Sequence, residues 1–308
     1  MISMRYHIVS IAAVFLALAL GIVLGATKIS SPLLVGLQGD KTSLTDERNQ
    51  LAGDNKDLTD RVASDDAFAG SVSALAVRGT LPGATVVVLS TADATPADTA
   101  AVVDLLSKAG AKVTGQLQLT QDFTDPNRAD DLTNVAAQNL PAGAKLPTSG
   151  DAGTVAGAFL STVLITDKAG TAPAKATEAT AALSAMSSSG FVAANGAVAP
   201  GRSVVLVTGA STDTGRASVL SDLAAALKLK AAGVVVAGRT GSESANSAVG
   251  AVRSDPAASN AVSTVDDVET PSGRLATVLA LVEQNGGGVG RYGMADTAQA
   301  QVPALAVG

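Results

Sequence analysis

The chain has 308 residues, with 21 Lys and Arg against 27 Asp and Glu, a formal net charge of −6, one histidine and no cysteine. That length holds one large α/β domain or two small ones, with enough chain to bury a core. Without cysteine there are no disulfides, thiolate metal centres or Cys nucleophiles, and a lone His7 removes Ser-His-Asp triads and His-rich metal sites from the rest of the chain. An acidic chain with 2% aromatic residues offers neither a basic phosphate-binding surface nor stacking platforms, so no nucleic-acid partner is expected.

The first thirty residues set the compartment. From Ile8 to Thr27 no residue is charged, and about twenty apolar residues at about 1.5 Å each match a bilayer core of about 30 Å. Gly21 and Gly25 have the small-xxx-small spacing that lets membrane helices approach. A cleavable signal peptide, with Arg5 as its basic end and Ala17-Leu18-Ala19 as a cleavage site, is the competing reading. The long apolar run and the amphipathic segment directly after it favour an uncleaved anchor over residues 1–28. Arg5 and Lys28 flank the run almost symmetrically, so charge alone does not orient it.

Residues 29–70 carry a heptad. Leu37, Leu44, Leu51 and Leu58 recur every seven residues, with Leu34 three before and Val62 four after members of the series. With the leucines at d, the a positions are Leu34, Lys41, Arg48, Asn55 and Val62, and g holds Asp40, Glu47, Asp54 and Arg61. Leucine at d with polar residues, Asn among them, at a favours a parallel two-stranded coiled coil at some loss of stability. The expected dimerisation residues are therefore Leu34, Leu37, Leu44, Leu51, Asn55, Leu58 and Val62. The alternative is a single amphipathic helix lying on the globular domain, although its stripe is narrow for that role.

Residues 71–308 alternate between strand and helix patterns. Thr85–Leu89, Lys112–Leu119, Ser203–Val207, Val234–Ala237 and Val262–Val265 read as buried strands. Helices are expected over Pro96–Ala109, Asn127–Asn139, Thr154–Thr166, Lys175–Ser187, Gly215–Lys228, Ser242–Arg253 and Ser272–Gln284. This order predicts an α/β, Rossmann-like, mostly parallel sheet, in one piece or in two halves meeting near residues 145–200. Gly286-Gly287-Gly288 reads as the start of a flexible tail.

Chemistry-bearing patterns are few. Val207-Thr208-Gly209-Ala210-Ser211-Thr212-Asp213-Thr214-Gly215-Arg216 resembles the cofactor loop of short-chain dehydrogenases, in which backbone N–H groups at a helix start hold a pyrophosphate. Asp213 stands where that loop has its middle glycine, and Tyr292 is followed by Asp296 where the catalytic lysine would be. No nicotinamide cofactor is expected. The neighbours Asp130-Asp131 and Asp266-Asp267 do not share a helix face, so each pair is expected to be solvated rather than catalytic. Met1, Met4, Met186 and Met294 are too scattered to suggest a thioether copper site. No catalytic, metal-binding or cofactor-binding residue is assigned.

Several segments carry a family resemblance. Met1-Ile2-Ser3-Met4-Arg5-Tyr6-His7 with Val9–Ala19, Leu119-Thr120-Gln121-Asp122-Phe123, Ser263-Thr264-Val265-Asp266-Asp267-Val268, Gly273-Arg274 and Gly287-Gly288-Val289-Gly290-Arg291-Tyr292-Gly293 together resemble the MctB family of actinobacteria, from residue 1 to about residue 293. The resemblance implies a role in copper transport through the outer envelope. It also implies likeness to the corynebacterial protein SteB, which works with SteA in daughter-cell separation and control of peptidoglycan hydrolysis. A copper channel asks for clustered soft ligands and several spans, whereas one anchor, a dimerising stalk and a head without catalytic residues suit a scaffold. The expectation is a non-catalytic homodimer in the inner membrane with an extracytoplasmic head and an SteA-like partner; the alternative is copper efflux from the outer envelope.

Overall fold

The computed structural model describes residues 4–28, 30–167, 169–210 and 213–304, with side chains described outside residues 27–39 and Thr214. Met1-Ile2-Ser3 of the amino-terminal motif and Ser211-Thr212 of the glycine-containing loop fall outside the described residues, and the side chains of Leu34 and Leu37 are likewise outside. The chain divides into two units, Met1–Ser64 and Asp65–Gly308.

In the first unit, α1 (Met4–Lys28) contains a segment, Met4–Ala26, long and apolar enough to cross a membrane, and none of its described residues is buried. It is followed by α2 (Ser30–Ala76), a helix of 47 residues that continues into the second unit. Along α2 the d-position side chains Leu44, Leu51 and Leu58 are 65%, 62% and 61% exposed, and Val62 is 58% exposed. Asn55 is exposed beside them. Among the described residues this apolar stripe is left open in a single copy.

The second unit is a mixed α/β fold around a mostly parallel sheet. In chain order the elements after α2 are β1 (Thr85–Ser90), α3 (Pro96–Lys108), β2 (Lys112–Leu119), α4 (Ala129–Gln138), α5 (Ala152–Leu164), α6 (Ala176–Ser188), β3 (Val192–Ala194), β4 (Ser203–Val207), α7 (Thr214–Lys228), β5 (Val234–Ala237), α8 (Ala248–Ser254), α9 (Pro256–Ser259), β6 (Ser263–Val265), α10 (Pro271–Asn285) and β7 (Arg291–Tyr292). The strands form a single sheet of order β3-β2-β1-β4-β5-β6-β7, so those before and after residues 145–200 share it. Every pairing is parallel except the antiparallel β2–β3 edge.

Both faces of the sheet are covered, which is why its strands read as unbroken apolar runs. In β1, Val87 and Leu89 face the core beneath α5 and α7, while Val86 and Val88 face the core beneath α3 and α10. Leu206 and Val205 of β4 divide in the same way. The tightest helix contact is between α5 and α7. A Cβ at Gly157 would lie 2.6 Å from Ala226 Cβ and 2.9 Å from the Leu223 carbonyl oxygen, so only glycine lets the two backbones approach this closely.

Two expected elements are corrected. The helix expected over Ser242–Arg253 starts only at Ala248, because the chain turns through Ser242–Ser247 and Ser247 Oγ caps it by accepting from Gly250 N at 3.3 Å. The segment after Gly286-Gly287-Gly288, expected as a flexible tail, instead returns to the sheet as β7, with Thr264 and Val265 pairing with Arg291 and Tyr292.

Candidate functional site

The sheet order creates one topological switch point. The connection β1–α3–β2 runs to one side of β1, and the chain then crosses back to place β4 on the other side. In doubly wound sheets the crevice outside the carboxyl ends of such strands is the usual ligand position. Here a crevice of about 320 Å³ lies at that place, lined by residues following β1 (Thr91, Ala92, Asp93), by the end of β2 and the turn after it (Leu119, Thr120, Gln121, Thr124), and by Asp213, Arg216 and Leu220 of the α7 region.

Each wall has a local cause. Thr91 N donates to the Val207 carbonyl at 3.0 Å, continuing the β1–β4 ladder past the end of the strand. That pairing buries Thr91 to 4% exposure, where its Oγ1 finds no hydrogen-bond partner among the described residues. Asp93 follows on the rim and presses against Gly209: a Cβ there would fall 2.7 Å from the Asp93 carbonyl oxygen and closer still to its carboxylate. The close approach that a glycine offers to a pyrophosphate in dinucleotide folds is thus filled by the chain's own carboxylate.

The far wall is the start of α7. Asp213 caps it, Oδ1 accepting from Arg216 N at 2.9 Å, and Asp213 Oδ2 pairs with Arg216 Nε at 2.9 Å. Arg216 then reaches across the crevice, donating from Nη1 to the Gln121 carbonyl at 2.8 Å and to Thr124 Oγ1 at 3.2 Å. The dehydrogenase-like stretch is thus flanked by β4 and α7 as expected, with Asp213 as a helix cap, while Ser211-Thr212 between them lie outside the described residues.

The remaining carboxylate pairs resolve differently. Asp131 pairs with Arg128 Nε at 2.8 Å, while Arg128 also reaches Asp122 at 2.8 Å and lies over the Phe191 ring. Asp266 and Asp267, expected to be solvated, are instead buried. Asp266 pairs with Arg253 at 2.8 Å and accepts from Met294 N at 2.7 Å and Ala295 N at 3.1 Å. Arg253 donates further to Thr264 Oγ1, Thr297 Oγ1 and the Tyr292 carbonyl, tying β6, β7 and the following turn together. The carboxyl of Asp267 is pushed up to about 6, first by burial, against a hydrogen bond from Thr270, and then by the nearby Asp266 and Glu269 charges.

The Asp266–Arg253 cluster is structural, and it accounts for two of the family-like motifs: Ser263–Val268 and Arg291–Gly293 meet across it. Reading the sequence alone missed Arg253. The available signal was a double carboxylate directly after a strand buried on both faces, where water is too distant to solvate charge. Met186 is a core residue of α6. Among the described residues no group of three or more His, Cys, Asp or Glu is placed to hold a metal ion.

One apolar helix of membrane-spanning length, a long second helix with an open leucine seam, and a doubly wound α/β unit with a polar switch-point crevice together define a class of membrane-anchorable α/β proteins. The chain belongs to the MctB family: the family model described as "Copper transport outer membrane protein, MctB" matches residues 1–303. "Copper transporter MctB" of Mycobacterium tuberculosis is 37% identical over 302 residues, covering 95% of this chain and 96% of the relative. The protein of that name from Mycobacterium bovis gives the same figures. The one from Mycobacterium leprae is 34% identical over 306 residues, covering 96% of each chain.

Proposed function

We propose that this chain is a single-span inner-membrane protein that dimerises in parallel through α2 and serves, without catalysis, as an extracytoplasmic scaffold or regulator of envelope maintenance or cell separation, together with an SteA-like partner. The observation that carries this reading is the seam on α2. Leu44, Leu51 and Leu58, each more than 60% exposed in one copy, recur at heptad spacing immediately after a membrane-spanning-length helix. A second copy in register buries that seam, sets Asn55 against its counterpart, and brings the acidic g residues Asp40, Glu47 and Asp54 near the basic a residues Lys41 and Arg48.

The names of the family and of the mycobacterial relatives favour a second reading, in which the protein takes part in moving copper as cargo. Cu(I) prefers thiolate, thioether and imidazole donors. This chain has no cysteine, a single histidine at the start of α1 and four methionines. On this reading the chain supports copper handling through the envelope or a partner. Leu44→Asp/Leu51→Asp and His7→Ala, each replacing the native copy, separate the two. The scaffold reading expects the heptad variant to become monomeric and to lose copper tolerance and normal cell separation together, while His7→Ala keeps all three. Lost tolerance in His7→Ala with the dimer intact would assign copper handling to the chain itself.

A further inference from the structure

The switch-point crevice contains a buried group that the fold leaves unused. Buried hydroxyls are ordinarily paired, yet Oγ1 of Thr91, a residue that lines the crevice, is buried and has no hydrogen-bond partner among the described residues. Around it the charges are fixed by the chain: carboxylates at Asp93 and Asp213 and one guanidinium at Arg216. Arg216 engages Nε and Nη1 and has no partner at Nη2 among the described residues. Asp93 has no hydrogen bond to any described residue, although it sits directly against Gly209.

We infer that this crevice binds a small zwitterionic amine of the amino-acid or short-peptide class, its ammonium held by Asp93 with Thr91 Oγ1 as acceptor, and its carboxylate by Arg216. The chemistry selects against the alternatives. Two carboxylates against one guanidinium repel phosphates and nucleotides, and Asp93 already fills the backbone approach a pyrophosphate would need. A volume of about 320 Å³ is at the small end of ligand sites, which run from about 300 to 1,000 Å³. The apolar walls, Leu119, Leu220 and Ala92, leave room for a short aliphatic body between the two charged ends. This site is lined by residues of the second unit alone, and its test does not depend on dimerisation.

The test uses the full-length chain in detergent micelles, titrated calorimetrically with lysine, alanyl-alanine, N-acetyl-alanyl-alanine, alanyl-alanine methyl ester and inorganic phosphate. Lysine or alanyl-alanine should bind saturably, while acetylating the amine or esterifying the carboxylate should each weaken binding about tenfold, the loss of one charge-assisted contact. Asp93→Asn should weaken it about tenfold. Thr91→Val should weaken it about threefold to tenfold, with Thr91→Ser restoring it. Asp93 is exposed, so its variant should melt with the parent. Saturable binding of neither lysine nor alanyl-alanine overturns the assignment, as does equal binding of the acetylated peptide, tighter binding of phosphate, or unchanged affinity in folded Asp93→Asn.

Discussion

Replacing Asp222 by Asn should abolish much of the pH dependence of stability between about pH 4 and 7. Asp222 lies on α7 opposite Asp151, the cap of α5. Burial, then a hydrogen bond from the protonated Asp222 to Asp151 and the charges of Asp151 and Asp255, push the Asp222 carboxyl up to about 7 from its ordinary 3.8. The partner goes the other way: burial would raise Asp151, but its hydrogen bonds with Asp222 and Thr154 outweigh it and leave it lowered. The folded state therefore holds the Asp222 proton more tightly than the unfolded chain. Its contribution is complete below about pH 4, declines as the pH rises, and is gone above about pH 7.

A displacement of about 3 corresponds to a ceiling of about 4 kcal/mol. The side chain is only partly buried and Asp151 returns part of the effect, so the expected size is about 1–2 kcal/mol. The amide keeps a hydrogen bond to Asp151 without a charge. Asp222→Asn should match the parent near pH 4 and exceed it by that amount near pH 8. Thermal unfolding of both proteins across this range, read as a difference, removes the shared contribution of Asp267, which runs in the same direction with a carboxyl near 6. A variant that loses as much stability as the parent between pH 4 and 8 would refute the shared-proton account.

Other perturbations follow from the packing. Gly157→Ala places a methyl 2.9 Å from the Leu223 carbonyl oxygen, so it should cost about 1–3 kcal/mol or more in thermal unfolding. Gly53→Ala, on a part of α2 with no neighbour within 4 Å, should stabilise by about 0.5–1 kcal/mol. Arg253→Met leaves the buried Asp266 carboxylate without its cation and should cost about 3–5 kcal/mol, against less for Arg128→Met at a partly exposed pair. Equal effects of the two arginine changes on the melting temperature would contradict the burial argument.

The legible parts of the fold are those fixed by local composition. The β-branched runs of β1, β4 and β5 declared strands buried on both faces, and Pro96 with Gly110 bracketed α3. The two edge strands were hidden because pairing, rather than propensity, makes them strands. β3 has three residues with two exposed, and β7 has two residues in a glycine-rich stretch. The same distinction separates the parts of the crevice. Gly209, Asp213 and Arg216 sit within one short recognisable stretch of sequence, whereas Thr91 and Asp93 lie more than a hundred residues earlier and join them only through the β1–β4 pairing. Asp266 and Asp267 were misread because a pair of adjacent carboxylates resembles a solvated loop until Arg253 is brought alongside.

The most direct test of the dimeric scaffold uses the absence of cysteine from the chain. A single cysteine at a d position of a parallel pair meets its own counterpart, within the roughly 4.4–6.8 Å Cα separation a disulfide accepts, whereas an f position faces away. Leu51→Cys and Asp46→Cys, at d and f respectively, are to be oxidised in intact membranes and measured by non-reducing electrophoresis. The account predicts a cross-linked dimer for Leu51→Cys and a monomer for Asp46→Cys. No cross-link at Leu51, or equal cross-linking at both positions, would contradict it.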